Sequence, residues 1–274
     1  MPLLLLRQAA ASSSSSSGQS RIDPTKDQRT TIIVACVYAV AIIILWNIPI
    51  LNYILYPFKL LTVGFHEFSH AAVGLCTGAR IESITLEPNE GGATRMRGGI
   101  PWLTLPAGYL GSSVIGAALI ACGFDERASK VASIVVGVFF LFTLWWARRD
   151  WLTWVLILAM IGLFVLFWLV ASSVALRYFV LFIGVMNCLY SVWDICDDLI
   201  FRKVNESDAS AFSKVVGGPP QFWGVIWLLI SIAFFGAGIV VGILAFKTPV
   251  AQQQADNFLD VNLRRRFFLG YSRI

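Results

Sequence analysis

Charge is scarce in this chain. Of its 274 residues, 21 are Lys or Arg and 16 are Asp or Glu, so charged side chains make up 14% of it, well below the share found in ordinary soluble domains. That shortage excludes a soluble globular protein, and the scatter of the basic residues excludes a nucleic-acid surface. Cysteine is also uninformative as a framework: Cys36, Cys76, Cys122, Cys188 and Cys196 form no CxxC pair, so each reads as a small buried hydrophobe rather than a ligand or half-cystine. A long apolar signal core is missing too, because Leu3 to Leu6 is too short for one and Ser12 to Ser17 opens a polar run. Histidine is the rarest chemistry-bearing residue, with two copies.

What the chain has in abundance is apolar length. Hydrophobic residues make up 57%, and the mean hydropathy is +0.74. A helix needs about 20 apolar residues to cross a bilayer. Stretches of that kind run over Thr31–Leu51, Leu55–Cys76, Leu103–Cys122, Lys130–Trp146, Trp151–Ala171, Val174–Ile195 and Phe222–Phe246. The sequence therefore predicts an all-α polytopic membrane protein of about seven transmembrane helices. Residues 1–30 read as a disordered N-terminal tail, 31–246 as the transmembrane domain, and 247–274 as a polar basic C-terminal tail suited to solvent or a lipid surface.

One polar interruption is patterned. Ile81, Ile84 and Leu86 mix with Glu82, Ser83, Thr85 and Glu87, the turn residues Pro88-Asn89-Glu90-Gly91-Gly92 follow, and Ala93 to Arg97 resumes. This predicts a small β-hairpin after the second span. Its edge either holds an extended substrate backbone or is a plain surface feature.

Strict alternation of seven spans places Arg7, Arg21, Lys26 and Arg29 on the same side as the loop residues Arg80, Arg95, Arg97, Arg148, Arg149, Arg202, Lys203 and Lys214. Only Lys59, Arg127, Lys130 and Arg177 fall opposite, although Lys247, Arg264, Arg265, Arg266 and Arg273 in the C-terminal tail weigh the other way. The balance favours a cytosolic N-terminus. The sequon Asn205-Glu206-Ser207 then lies in the cytosol and carries no glycan.

Both histidines occur in His66-Glu67-Phe68-Ser69-His70, inside the second apolar stretch. Positions i and i+4 share a helix face, so two imidazoles can grip one zinc ion (Zn2+) while Glu67, between them, reaches a water beside it as general base. Three ionisable groups within five positions of an apolar helix are costly without such a partner. Catalytic zinc takes three protein ligands and leaves a fourth position open. With no histidine left, Asp194 is the leading candidate, ahead of Asp197 and Asp198, which approach the polar loop. The histidine pair lies ~15 Å from the end of its helix near Gly78, and Asp194 ~12 Å from the polar loop near Arg202, at 1.5 Å per residue. In the alternating topology those depths are measured from the same, cytosolic face. Asn187, two helical turns before Asp194, supports either a ligand or a substrate carbonyl, or simply bonds a neighbouring backbone. The small residues Gly108, Gly111, Ser112 and Gly116 allow close helix approach, the metal helix being one candidate neighbour.

These motifs resemble the site-2 protease family of intramembrane zinc metallopeptidases, in its B-like branch. The resemblance rests on His66 to Ala71, Gly91-Gly92-Ala93-Thr94, Ala107-Gly108-Tyr109-Leu110-Gly111, Asn187 to Asp194, Asp197-Asp198-Leu199-Ile200, Val204 to Ala209 and Trp223-Gly224. It implies His66, His70 and Asp194 as zinc ligands and Glu67 as catalytic base. The sequence departs from the better-studied pattern, since Ile195 rather than glycine follows Asp194 and no proline separates it from Asn187. The implied activity is hydrolysis of a transmembrane segment of another membrane protein, in an internal membrane such as the endoplasmic reticulum or Golgi. Two other classes stay open: a metal-binding scaffold without turnover, and a divalent-metal transporter, which needs a relay of ligands along a path.

Overall fold

The computed structural model describes residues 22–88, 91–169, 173–196 and 207–255, with the side chains at 173, 191, 193–196, 254 and 255 excepted. Among these residues the elements in chain order are α1 (Lys26–Asn47), α2 (Asn52–Cys76), β1 (Arg80–Leu86), β2 (Gly92–Arg97), the single turn α3 (Pro101–Thr104), α4 (Ala107–Cys122), α5 (Glu126–Trp146), α6 (Trp151–Leu169), α7 (Ser173–Cys196), α8 (Asp208–Val216), α9 (Pro220–Ala245) and α10 (Val250–Ala255).

Local chemistry sets several helix starts. Thr25 and Gln28 form a reciprocal capping box on α1, Asp125 accepts from the Ala128 N–H at the start of α5, and Ser207 accepts from Ser210 N–H to start α8. Each satisfies a backbone donor that the helix itself leaves free. The hairpin forms as the alternation predicts, with Arg80 opposite Arg97 and Leu86 opposite Gly92.

Five helical stretches are long and apolar enough to cross a membrane by length and composition: α1, the stretch Pro101–Cys122, α5, α6 and α9. A further apolar run, Val174–Tyr190, lies within α7. With a mean hydropathy of +0.74, these stretches mark an integral multi-pass membrane protein. Its main core cluster contains Ile42, Leu60, Ile120, Leu176, Leu181 and Met186, with smaller clusters around Phe212 and Trp227 and around Ile81 and Ile84.

Helix directions follow from the pairs in contact. Thr31 meets Arg177, Tyr38 packs edge-on to Phe182, and Trp46 stacks on Tyr190, so α1 and α7 run parallel. Helix α4 runs against α7, with Ser112 bonded to Asn187 and Gly123 facing Leu181. It runs with α9, through Tyr109 on Trp227, Ser113 on Ser231 and Ala117 on Gly238. Short reversals at Gly123–Asp125 and Ala147–Asp150 make α5 antiparallel to both α4 and α6.

The first and sixth of seven alternating spans would be antiparallel, so the expected count of seven crossings is not what the contacts give. Helices α1, α4, α5, α6, α7 and α9 alternate, whereas α2 and the hairpin start and finish at one face of the bundle. The reason is that the hairpin turns back along α2: Ile81 and Met96 lie at Gly74, Gly92 lies at Val63 and Glu67, and the Tyr56 hydroxyl donates to the Pro88 carbonyl at 2.7 Å.

At the other face the two ends of the bundle are stitched together. Gln28 Nε2 donates to the carbonyls of Ile243 (3.0 Å) and Phe246 (2.6 Å), Lys247 Nζ to the Asp23 carbonyl, and Val250 N–H to Asp27 Oδ2, both at 2.9 Å. Residues just before α1 and just after α9 therefore share a face, and the α5–α6 turn lies at the opposite one. In sealed vesicles of a variant lacking the exposed native cysteines, Asp23→Cys and Thr248→Cys are expected to react with an impermeant maleimide from the same side, and Arg148→Cys from the other. Labelling of positions 23 and 248 from opposite sides would contradict this arrangement.

Candidate metal centre

Helix α2 presents the histidine pair on one face, as the i, i+4 spacing requires. His66, Glu67 and His70 are all buried, at 7%, 6% and 7% exposure. The two Nε2 atoms stand 3.0 Å apart, and Asp208 Oδ2 lies 2.9 Å from each. Among the described residues these three form the group of His, Cys, Asp or Glu side chains able to hold a metal ion.

The structure thus brings the expected histidines to one carboxylate, that of Asp208. It belongs to the first turn of α8, in the segment that joins α7 to α9, so the cluster lies at the face away from the stitched chain ends. The topology drawn from charge had put the ligands nearer the N-terminal face. Asp194 sits in the last turn of α7, and its side chain lies outside the described residues, as does Asn205. Asn187 is fully buried and donates from Nδ2 to the Ser112 carbonyl at 2.8 Å, while its Oδ1 has no hydrogen-bond partner among the described residues.

The donor set fits a zinc ion. His70 Nδ1 lies 2.7 Å from the Thr104 carbonyl, an oxygen that can only accept, so Nδ1 carries the ring proton and a neutral His70 offers a lone pair at Nε2. His66 also aims Nε2 inward, while its Nδ1 is buried without a hydrogen-bond partner among the described residues. Tetrahedral ligands at about 2.0–2.1 Å from zinc stand ~3.3 Å apart, so a few tenths of an ångström of opening admits the ion. Three converging acceptors repel one another unless a cation or proton sits between them. Asp208, outside the spans, shows what positive charge does there: burial alone would raise its carboxyl, but His70 and His66, when protonated, outweigh burial and hold it well below the usual carboxylate range.

Close backbone approach makes room for the cluster. A side chain at Gly108 would collide with His66 Nε2 and His70 Nε2, and one at Gly111 with Ser69. Gly108 and Gly111 thus face the metal helix, whereas Ser112 and Gly116 face α7 at Asn187 and Cys188. Tyr109 sets its ring edge-on to His66 at 4.8 Å and stacks on Trp227 at 5.3 Å. Phe212 of α8 packs on Trp223 and Trp227, so an aromatic cradle seats the short helix that carries Asp208.

Glu67 faces the hairpin. Thr94 Oγ1 lies 2.8 Å from Glu67 Oε2 and 2.9 Å from the Glu67 carbonyl.

A buried His-Glu-x-x-His helix, completed by a carboxylate within a multi-pass bundle, defines the class as a membrane protein with a metallopeptidase-type centre. Residues 35–238 match the family described as Peptidase M50B-like. The chain belongs to that family, the B-like branch of the site-2 proteases, whose members are metallopeptidases. No curated protein and no solved structure matches the chain.

Reasoning on spans alone passed over Asp208. The signal that marks it is local: Ser207-Asp208-Ala209 opens a short amphipathic helix with an N-cap serine directly before the acid. Gly108→Ala is expected to force the two imidazoles apart, lowering bound metal and destabilising the fold by about 1–3 kcal/mol. Metal analysis and thermal unfolding of the purified variant check this, and unchanged values for both would contradict it.

Proposed function

We propose that this chain is an intramembrane zinc metallopeptidase that hydrolyses a peptide bond in or near a transmembrane segment of another membrane protein. The observation that carries the reading is the meeting of His66 Nε2, His70 Nε2 and Asp208 Oδ2 within 3.0 Å of one another, beside the buried carboxylate of Glu67. His66, His70 and Asp208 are the residues that would hold the ion. Asp208 is preferred to Asp194 because its oxygen already stands at hydrogen-bond distance from both imidazoles.

When bound, zinc supplies Lewis-acid polarisation of the scissile carbonyl and a water made acidic enough to lose a proton near neutrality. The chain's own residues do the rest. The Glu67 carboxylate takes that proton and returns it to the leaving amine. Thr104 keeps the His70 ring proton on Nδ1, so Nε2 stays free to bind. The Asp208 side chain keeps 22% exposure, and the substrate helix must unwind locally, since its amides are otherwise occupied by internal hydrogen bonds.

A transporter would need several ligand sets along a path, and the described residues form one. A scaffold would bind the ion without turnover, and Glu67 separates it from an enzyme. Purified wild-type protein is expected to hold about one zinc per chain, as are Glu67→Gln and Asp194→Ala, while Asp208→Ala loses it. Reconstituted with tagged single-span membrane proteins, Glu67→Gln is expected to cleave about 10²–10⁴-fold more slowly than wild type. Cleavage by Glu67→Gln at the wild-type rate would sink the peptidase reading.

A further inference from the structure

Strand β2 presents residues of one parity to one face, and Gly92 and Thr94 share the face that covers Glu67. A Cβ at Gly92 would come within 2.7 Å of Val63 Cγ1 and 2.8 Å of Glu67 Cγ and Oε1. Any side chain there would displace the glutamate, so the absence of one fixes how closely the strand lies on it. Two residues on, the Thr94 hydroxyl reaches Glu67 Oε2 at 2.8 Å and the Glu67 main-chain carbonyl at 2.9 Å.

A hydroxyl has one proton to donate. Both oxygens facing Thr94 are acceptors when Glu67 is ionised, so the proton is shared between a side-chain atom and a main-chain atom of the same residue. That ties the carboxylate to its own backbone and restricts rotation of the side chain. Threonine suits this better than serine, because branching at Cβ stiffens χ1. Among the described residues the hydrogen bonds of the Glu67 carboxylate run through Oε2, while Oε1 lies against Gly92 of the strand. Glu67 is 6% exposed, and a buried carboxylate with one donor depends heavily on that donor.

We propose that Thr94 is a positioning residue for Glu67: its hydroxyl anchors Oε2 and so fixes the orientation in which the carboxylate meets water at the metal cluster. The proposal rests on Glu67 acting as the base of the peptidase reading. It gives the hairpin a role in the reaction's geometry, independent of any strand that pairs with its edge.

The test compares wild type, Thr94→Val, Thr94→Ser and Glu67→Gln, using a labelled synthetic single-span peptide in phosphatidylcholine vesicles, bound zinc, and the infrared carboxylate band that disappears in Glu67→Gln. Thr94→Val removes the hydroxyl at nearly constant volume. It is expected to lower kcat by about 10- to 100-fold with KM and bound zinc unchanged, and to shift the Glu67 band. Thr94→Ser is expected to restore the band and to bring kcat within about threefold of wild type, the remainder reflecting its freer χ1. Wild-type kcat and an unshifted band in Thr94→Val would overturn the proposal. So would a loss of kcat matched by loss of zinc, which marks a general disturbance of α2. If wild type cleaves nothing, the peptidase reading fails while the band still decides whether Thr94 holds Glu67.

Discussion

Three lone pairs aimed at one buried point constrain the rest of this structure. Two imidazole nitrogens and a carboxylate oxygen have no attraction for one another; without a cation or a proton between them, their desolvation and repulsion would open the cluster. Holding them at 2.9–3.0 Å therefore asks for support from every neighbour. The single turn α3 offers the Thr104 carbonyl that sets the His70 tautomer. Helix α4 offers glycine at position 108, where any side chain would occupy the ligand space. The aromatic residues Tyr109, Phe212, Trp223 and Trp227 seat α8, whose first turn delivers Asp208.

The bundle distributes these parts over two faces. Around the beginning of α1 and the end of α9, Gln28, Asp27 and Lys247 close the fold with bonds to backbone groups that the helix ends leave free. At the opposite face the crossing helices leave space for α2 and its hairpin, which bury polar chemistry without adding a crossing. A hairpin suits that position because it satisfies its own backbone while following the helix closely, one strand bringing Gly92 and Thr94 against Glu67. Its far end is fastened by Tyr56 at the Pro88 carbonyl and by Asp150, which accepts from Leu86 N–H at 2.8 Å.

Much of this was legible from residue order. The i, i+4 spacing marked His66, Glu67 and His70, and alternation with a Gly-Gly turn located the hairpin to within a residue or so of β1 and β2. The apolar runs located the helices because hydropathy is a local property. Crossing number is not local: α2 has the apolar length of a span, and its failure to add a crossing depends on which face α1 ends and α4 begins. The third ligand was hard to read for a related reason. Depth along an apolar helix favoured Asp194, whereas Asp208 comes from a polar segment that returns to the bundle through the packing of Ala209 and Phe212. Only the N-cap pattern at Ser207 marked it locally. Asn187 carried two readings of equal merit: its Nδ2 bonds the Ser112 carbonyl, while its Oδ1 is buried with no hydrogen-bond partner among the described residues.

The central claim, that His66, His70 and Asp208 share one zinc ion, is tested most directly by X-ray absorption at the zinc edge on purified wild-type protein and an Asp208→Cys variant. The account predicts a wild-type shell of nitrogen and oxygen only, with two imidazoles, and one sulfur at about 2.3 Å in the variant. A wild-type shell without two imidazoles, or a variant that binds zinc with no sulfur neighbour, would contradict it.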